Sequence, residues 1–495
     1  MSLNTRVLFV SAEAVPYAKV GGLADVVGSL PQALRKIGVD ARVIMPMYGF
    51  INTEKYKISY LFSFPFARNT GTTDVQVFTA EHDGVPFYFV RGWPFFGSDT
   101  GVYTTWDWDV PRFIFFNQVV MAVAWELRQR LGWFPDVFHV NDWHTGLLPF
   151  LLYESRHDAI WGRTASVLGI HNLAYQGESV GGWLWQLGIP GRQQADLVYQ
   201  NLTDNMLAIA IGYSDILTTV SPRYAVEIQY PYMGHRLDSL IRTRTEDLYG
   251  ILNGIDVDLW NPETDPNVVF KYNAENFVEQ RQANKRHLQN EVGLPVNDDV
   301  PIIGIVTRLV WQKGFTLALP ALRRLLVDTD AQVIALGSGE AETEHQLWRL
   351  GHDFHWKARV FLGFNAATAQ HIYAGSDIFL MPSHYEPCGI GQMIAMRYGS
   401  LPLVRETGGL ADTVQNYDNN TADTGTGFVF TWEQPDAVLN TLRWSVDTFR
   451  HRQDAWRRMQ KRAMQTDFSW HQSAHRYVEI YQKAMDKHRK RELEP

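Results

Sequence analysis

The chain has 495 residues, 45% hydrophobic and 20% charged, which is the composition of a globular protein long enough for two or more domains. Its formal net charge of −8 argues against a general binder of nucleic acid, and no apolar run reaches the length of a membrane span. The single cysteine, Cys388, excludes an intramolecular disulfide, and the chain begins without room for a signal or transit segment, so a cytoplasmic protein is expected.

Short apolar runs recur along the chain, each followed by a turn with glycine or asparagine and then by an amphipathic stretch. Continuous apolar strands that alternate with helices predict an α/β protein with parallel sheets covered on both faces. In such sheets ligands bind beyond the carboxyl ends of the strands. The predicted strands are 7–10, Ala41–Met45, Val137–Val140, Ser166–Ile170, Ile216–Val220, Pro301–Val306, Gln332–Leu336, Arg359–Leu362, Ile378–Met381 and Leu401–Val404.

A boundary between two lobes is expected at residues 253–266, where Pro262 and Pro266 stand among several turn-forming residues. A second stretch rich in acidic residues and glycine, 416–427, is predicted to be an exposed loop. The chain ends in a charged amphipathic segment that is predicted to be a helix.

The string Gly-Gly-Leu-Ala-Asp occurs twice, at 21–25 and at 408–412, each time between a predicted strand and a predicted helix. Glycines let a ligand approach the backbone, and the first amides of a helix favour an anion. Lys19 precedes the first copy, and an ammonium beside free amides is suited to phosphate. The two turns therefore predict two similar lobes that face one charged substrate.

Further candidate residues follow the predicted strands of the second half. Arg308 and Lys313 lie on one turn, where two cations suit a diphosphate; a solvated basic turn is the alternative. Glu386 precedes a sharp Pro-Cys-Gly entry into a helix predicted to start near Ile390, and its carboxylate suits a cationic sugar transition state or a hydroxyl. A carboxylate that complements the helix dipole is the alternative reading of Glu386.

In the first half, polar residues follow two neighbouring predicted strands. Asn141-Asp142-Trp143-His144 closes one strand, and the segment from His171 to Gly177 closes the next. Such a wall of Asp, His and Asn side chains suits sugar hydroxyls, whereas the spacing does not suit zinc.

Taken together, these turns resemble the bacterial glycogen synthase and plant starch synthase family over essentially the whole chain. The matching segments are Lys19-Val20-Gly21-Gly22-Leu23, 141–144, 171–177, Asn253-Gly254-Ile255-Asp256, Arg308 with 312–314, Glu386-Pro387-Cys388-Gly389, Thr407-Gly408-Gly409-Leu410 and 467–470. The resemblance implies a GT-B fold: two Rossmann-like domains, with catalysis in the cleft between them. The implied domains are 1–255, joined by a C-terminal crossover helix at 472–495, and 256–471.

The resemblance also implies a reaction. Glucose would pass from ADP-glucose to the non-reducing 4-hydroxyl of an α-1,4-glucan with retained anomeric configuration, without a metal or another cofactor. Glu386, His171, Lys313 and Arg308 would be catalytic, with the last two holding the diphosphate. The donor would also contact Lys19, Gly22, Asn253, Phe364, Cys388, Gly389, Ile390, Gly391, Thr407 and Gly408. The transferred glucose and the glucan would contact Asp25, Asp142, Trp143, His144 and Asn172.

Two positions depart from the family pattern: Val20 replaces the usual threonine, and Ile390-Gly391 replaces a leucine followed by a polar residue. Three other functions are weighed against the ADP-glucose enzyme. They are a synthase that prefers UDP-glucose, a glucan phosphorylase, which needs a pyridoxal-phosphate lysine, and a catalytically silent glucan-binding protein.

Overall fold

A computed structural model of the chain describes residues 5–420 and 423–493. Parts of three expectations lie outside these residues: the start of the chain at 1–4, two residues of the predicted loop at 421–422, and the end of the last helix at 494–495. Contacts between Cα atoms divide the chain into two compact units. Unit 1 comprises Met1–Gly254 and Trp470–Pro495, and unit 2 comprises Ile255–Ser469.

The strands and helices alternate through most of the described chain. The strands are β1 (Arg6–Val10), β2 (Asp40–Pro46), β3 (Ser59–Arg68), β4 (Gly71–His82), β5 (Val85–Gly92), β6 (Val137–Asn141), β7 (Ala165–Ile170), β8 (Ile216–Thr219), β9 (Leu248–Gly250), β10 (Ile302–Val306), β11 (Gln332–Gly337), β12 (Ala358–Leu362), β13 (Ile378–Met381), β14 (Leu401–Arg405) and β15 (Phe428–Phe430). The α-helices are α1 (Gly22–Lys36), α2 (Trp106–Leu131), α3 (Leu148–Glu154), α4 (Gly181–Gln186), α5 (Ala195–Tyr199), α6 (Met206–Tyr213), α7 (Pro222–Glu227), α8 (Asp238–Arg242), α9 (Phe277–Glu291), α10 (Phe315–Asp328), α11 (Ala341–Asp353), α12 (Ala366–Gly375), α13 (Gly391–Arg397), α14 (Gly408–Thr413), α15 (Pro435–His451), α16 (Gln453–Gln465) and α17 (Trp470–Leu493).

Unit 1 is built on a nine-stranded sheet of order β3-β4-β5-β2-β1-β6-β7-β8-β9. From β5 to β9 the neighbouring strands are parallel, as the apolar runs predict, and every residue of β6 and β7 is buried. Buried apolar residues on one side of α1 pack that helix against β2 and α17, and α17 also packs on β6, β7 and β8. The parallel sheet places the ends of β1, β6 and β7 side by side.

An antiparallel extension at one edge of this sheet was not predicted. β3 pairs with β4 and β4 pairs with β5 in antiparallel register, through turns at 69–70 and 83–84. These strands alternate between buried and more exposed residues, because one face packs on the protein and the other faces solvent. Their sequence therefore lacks the continuous apolar runs by which ten of the strands were predicted. The strands β5, β9 and β15 were not predicted either.

Unit 2 is built on a six-stranded sheet of order β12-β11-β10-β13-β14-β15, in which every neighbouring pair is parallel. The predicted α/β class is thus confirmed for both units. Because β10, β13 and β14 are neighbours, the three turns that follow them leave the sheet at the same edge. These turns carry Lys313, Glu386 and the second Gly-Gly-Leu-Ala-Asp string. No helix in the described part of the chain is both long and apolar enough to cross a membrane.

Candidate active site

Backbone contacts at two glycines join the three turns of unit 2. Gly314 has φ +73°, and a Cβ atom there would lie 1.9 Å from the Pro382 carbonyl oxygen. Gly408 has φ +43°, and a Cβ atom there would lie 2.0 Å from the Glu386 carbonyl oxygen. The turns after β10 and β14 therefore both pack directly against the loop after β13. In the second Gly-Gly-Leu-Ala-Asp string, the space that a side chain would occupy at Gly408 is filled by the backbone of the loop after β13.

The side chains of Lys313 and Glu386 meet where these turns converge. Lys313 Nζ lies 2.7 Å from Glu386 Oε2, and the two side chains are only 13% and 7% exposed. Ser383 Oγ donates a hydrogen bond of 3.0 Å to the same carboxylate oxygen. The protein donors found among the described residues thus bind Oε2, which leaves Oε1 for a ligand. A buried, paired ammonium has a fixed position, unlike an exposed lysine.

The loop after β13 is held by a second set of polar contacts. The His384 amide donates to the Gln312 carbonyl at 2.9 Å, and Thr316 Oγ1 lies 2.7 Å from His384 Nε2. Trp311 stacks on the His384 ring, with centroids 4.4 Å apart. The Arg405 guanidinium donates to the Ser383 carbonyl at 2.8 Å. These contacts tie the Lys313 turn and the end of β14 to the loop that carries Glu386.

The other predicted residues of unit 2 lie on the same turns or near them. Arg308 is exposed on the turn after β10, and no ion pair joins it to another described residue. Phe364 follows β12 and is 86% exposed, with its ring available for stacking. Cys388 is buried, whereas Ile390 and Gly391 open α13 and Thr407 and Gly408 open α14. Gly389 connects Cys388 to Ile390 in the left-handed region, at φ +76°.

In unit 1, His171 and Asn141 form the contact that orients the polar wall. Asn141 Nδ2 donates to the carbonyls of Val10 and His139, so its Oδ1 faces His171 Nε2 at 2.8 Å. The proton of the neutral imidazole therefore lies on Nε2, and Nδ1 carries the lone pair. Burial lowers the pKa of His171 to about 4, which keeps the ring neutral near pH 7.

Asp142 holds the start of the His171 segment. Its Oδ1 accepts the His171 amide at 2.8 Å and the Asn172 amide at 3.4 Å. Burial raises the pKa of Asp142 to about 7; the two amide hydrogen bonds lower the pKa, and the nearby Glu13 raises it. Desolvation is the dominant cause. Asp142 is thus a carboxyl group whose protonation changes close to neutral pH.

His144 lies in an aromatic pocket beside Asp142. Its ring packs on Trp143, Phe113 and Tyr103, with centroids 4.3, 4.8 and 4.9 Å apart. Burial, with a smaller contribution from the charge of Arg112, lowers the pKa of His144 to about 3. Nδ1 of His144 is buried, and no hydrogen-bond partner for it is found among the described residues. Trp143 is 6% exposed, so its ring packs in the protein interior and does not present an open face to a sugar.

The first Gly-Gly-Leu-Ala-Asp string differs from the second. The amides of Val20 and Gly21 donate to Glu13 Oε2, at 2.5 and 2.9 Å, so a carboxylate of the protein binds the two amides just before α1. A Cβ atom at Gly21 would meet nothing within 4 Å, and Gly22 is exposed. Lys19 pairs with Asp25 at 2.7 Å, and both side chains are partly exposed.

Sequence reasoning missed Glu13 and Tyr103. Glu13 is 3% exposed on the turn after β1, and the Tyr103 hydroxyl donates to its second oxygen, Oε1. A charged residue between alanines, three residues after the apolar end of β1, was the available signal for Glu13. Tyr103 had no such signal, because it lies in an irregular segment before α2. Asn253 lies in unit 1, where its Oδ1 is buried and has no partner among the described residues.

Comparison with known proteins gives consistent matches over the whole chain. The family model described as "Starch synthase catalytic domain" matches residues 6–243, and "Glycosyl transferases group 1" matches residues 288–462. The glycogen synthase of Syntrophotalea carbinolica is 40% identical over 98% of this chain and 99% of its own length. The glycogen synthase of Thermotoga maritima is 41% identical over 97% of this chain and 99% of its own length.

The chain belongs to the glycogen and starch synthase family. Among solved structures, the catalytic domain of starch synthase IV from Arabidopsis thaliana, bound to ADP and acarbose, matches with a TM-score of 0.88 and 31% identity. That match covers 98% of this chain and all of the other. The protein is therefore a glucosyltransferase of the GT-B fold.

We expect Gly314→Ala to destabilise unit 2 more than Gly293→Ala does. Both glycines have φ near +70°, so each substitution introduces left-handed strain of about 1 kcal/mol. At Gly293 the nearest atom to a new Cβ is a side-chain nitrogen 3.7 Å away, whereas at Gly314 the new atom overlaps a backbone carbonyl. Urea unfolding should show an additional loss of roughly 2 kcal/mol or more for Gly314→Ala. Equal losses would contradict the proposed packing of the turns.

We also expect Asp142→Asn to gain stability relative to the unchanged protein as pH rises from 5 to 8. The raised pKa means that the folded state holds a proton that the unfolded state has lost, so Asp142 destabilises the fold increasingly as pH approaches 7. Asparagine keeps the oxygen that accepts both amides and has no such proton to lose. The difference in unfolding free energy should change by about 1 kcal/mol per pH unit below pH 7, measured by urea titration. A pH-independent difference would contradict the raised pKa.

Proposed function

We propose that this protein transfers glucose from ADP-glucose to the non-reducing 4-hydroxyl of an α-1,4-glucan with retention of the anomeric configuration. The observation that carries the proposal is the buried Lys313–Glu386 pair at the converging turns of unit 2. The neighbouring exposed Arg308 adds a second cation on the same turn as Lys313. The related starch synthase bound to ADP and acarbose supports the choice of donor and of glucan.

In this proposal, unit 2 binds the nucleotide-sugar. Arg308 and Lys313 hold the diphosphate, and the exposed ring of Phe364 stacks on the adenine. The backbone of Gly389, Ile390, Gly391 and Gly408, the hydroxyl of Thr407 and the loop at Cys388 supply the remaining contacts. Ile390 contributes a backbone amide, because its side chain cannot form a hydrogen bond. From unit 1 we assign Lys19, Gly22 and Asn253 to the donor.

The reaction breaks the bond between glucose C1 and the diphosphate and forms a bond from C1 to the 4-oxygen of the glucan. Negative charge grows on the departing diphosphate, so cations whose positions are already fixed stabilise the transition state more than the ground state. The incoming hydroxyl attacks from the face that the diphosphate leaves, and a phosphate oxygen takes its proton. Glu386 keeps Lys313 in place through Oε2, and Oε1 faces the cationic sugar.

The polar wall of unit 1 is assigned to sugar hydroxyls. His171 is neutral and presents an unprotonated Nδ1, which accepts a hydrogen bond from a hydroxyl of the transferred glucose. Asp142, His144 and Asn172 shape the same wall, and Trp143 supports it as a buried ring packed on His144. Asp25, half-buried beside Lys19, is assigned to the glucan.

Replacement of Lys313 by alanine should lower kcat about 10²–10³-fold, because a cation fixed at the departing diphosphate is lost. The matched control is Lys461→Ala. Lys461 also lies 2.7 Å from a glutamate, Glu275, but this pair is on the surface, 42% and 72% exposed. The measurement is glucose incorporation into glycogen at saturating ADP-glucose.

Glu386→Gln tests the other member of the Lys313–Glu386 pair. Glutamine keeps the size of the side chain and removes its charge. We expect a loss of kcat comparable to that of Lys313→Ala, with Lys461→Ala unchanged. Near-normal turnover of Lys313→Ala would rule out the phosphate-binding role.

Initial rates with ADP-glucose and UDP-glucose, each with and without a maltooligosaccharide, test the donor. We expect kcat/KM to be higher for ADP-glucose, because the adenine stacks on Phe364 and the larger ring gains more contact area. An α-1,4-specific amylase should then release the incorporated label, as retention requires. Faster transfer from UDP-glucose would contradict the proposed donor, and glucan binding without transfer would contradict the proposed reaction.

A further inference from the structure

A group of metal-ligand side chains lies in unit 2, on residues to which the transfer reaction assigns no role. His287 and Glu291 are one turn apart on α9, and His371 projects from α12. Their ligand atoms all lie within 4.8 Å of one another. Among the described residues, no other group of three or more His, Cys, Asp or Glu side chains lies this close together. Two imidazoles and a carboxylate are a ligand set typical of zinc.

The distances in the group are close to those of a tetrahedral metal site. Glu291 Oε2 lies 2.7 Å from His371 Nδ1 and 3.9 Å from His287 Nε2. Two ligand atoms of a tetrahedral zinc ion are about 3.4 Å apart, given metal–ligand bonds of about 2.1 Å. The two distances from Glu291 therefore differ from this value by less than 1 Å, and the two histidine nitrogens lie within 4.8 Å of each other. Small side-chain rotations would bring the three atoms to a common ion.

A backbone carbonyl orients His371 as a ligand. His371 Nε2 lies 2.8 Å from the Asn267 carbonyl oxygen, and because a carbonyl can only accept, Nε2 carries the proton. Nδ1 faces Glu291 Oε2 at 2.7 Å, and because a carboxylate oxygen can also only accept, Nδ1 donates to it. A metal ion that binds here would displace this proton and take the Nδ1 lone pair. Histidine ligands of metals are commonly held in this way, by a hydrogen bond from the other ring nitrogen.

The two helices that carry the group are held by a hydrophobic core. Leu288 on α9 and Ile372 on α12, each next in sequence to a ligand residue, are fully buried in one cluster. The ligand side chains remain accessible, because His287, Glu291 and His371 are 36%, 38% and 15% exposed. The core therefore fixes the spacing of the two helices, and an ion can reach the group from solvent.

We propose that His287, Glu291 and His371 bind one Zn²⁺ ion, with water as the fourth ligand, and that the ion ties the end of α9 to α12. The site is separate from the transfer chemistry, which needs no metal in the proposed function. An ion that binds the folded state stabilises it, so the expected role is stabilisation of unit 2. Magnesium and calcium are excluded as preferred ions because they favour oxygen ligands.

Calorimetric titration of the full chain with Zn²⁺, without a histidine tag, tests the proposal. We expect one ion per chain and a rise in Tm of about 3 °C at a tenfold excess of Zn²⁺ over Kd. Co²⁺ in the same site should show the visible absorbance of a tetrahedral complex. In His287→Asn we expect the affinity to fall at least ~10-fold, because one of three protein ligands is lost.

The matched control is His451→Asn. His451 Nε2 lies 3.7 Å from Asp447 Oδ1 on α15, so the pair repeats the spacing of His287 and Glu291 without a histidine from a second helix. The affinity of the His451→Asn variant for Zn²⁺ should equal that of the unchanged chain. Glucose transfer should be unaffected in both His451→Asn and His287→Asn. Absence of stoichiometric binding, an unchanged affinity in His287→Asn, or an equal loss in His451→Asn would overturn the proposal.

Discussion

The candidate site of unit 2 depends on the close approach of backbone to backbone at two glycines. Gly314 and Gly408 both present an α-carbon without a side chain to a carbonyl of the loop after β13. This contact brings the turns after three neighbouring parallel strands together and places Lys313 beside Glu386. Any larger residue at either glycine would separate the turns and, with them, the buried ammonium and carboxylate on which the proposed chemistry rests.

The polar wall of unit 1 depends on a different physical effect, the exclusion of water from its buried side chains. Asn141, Asp142 and His171 lie at the ends of two buried strands and are fixed by hydrogen bonds to each other and to backbone. Desolvation lowers the pKa of His171 and His144, so both rings are neutral at neutral pH, and it raises the pKa of Asp142 to about 7, so that carboxyl group is only partly ionised there. Neutral donors and acceptors in fixed positions suit hydroxyl groups, whereas the paired charges of unit 2 suit a diphosphate.

The two Gly-Gly-Leu-Ala-Asp strings show how one sequence serves two arrangements. In the first string the preceding amides bind the carboxylate of Glu13, and the space above Gly21 is open. In the second, the glycines are covered by the loop that carries Glu386. The shared sequence predicted a turn before a helix in both places, and both turns exist. The neighbours that distinguish them lie outside the string in both places.

The sequence by itself determined the α/β class, ten of the parallel strands and the family. Continuous apolar runs require burial on both faces, and motifs in a fixed order are specific even when each is weak. It did not reveal the antiparallel edge of unit 1, whose strands alternate in burial, nor Glu13 and Tyr103. Only the tertiary structure decided which groups meet: Lys313 with Glu386, Glu13 with the first glycine turn, and His371 with Glu291. The first and third pairs are 73 and 80 residues apart along the chain and form because parallel strands and packed helices bring their ends together. Glu13 and Gly21 are 8 residues apart and meet within the connection between β1 and α1.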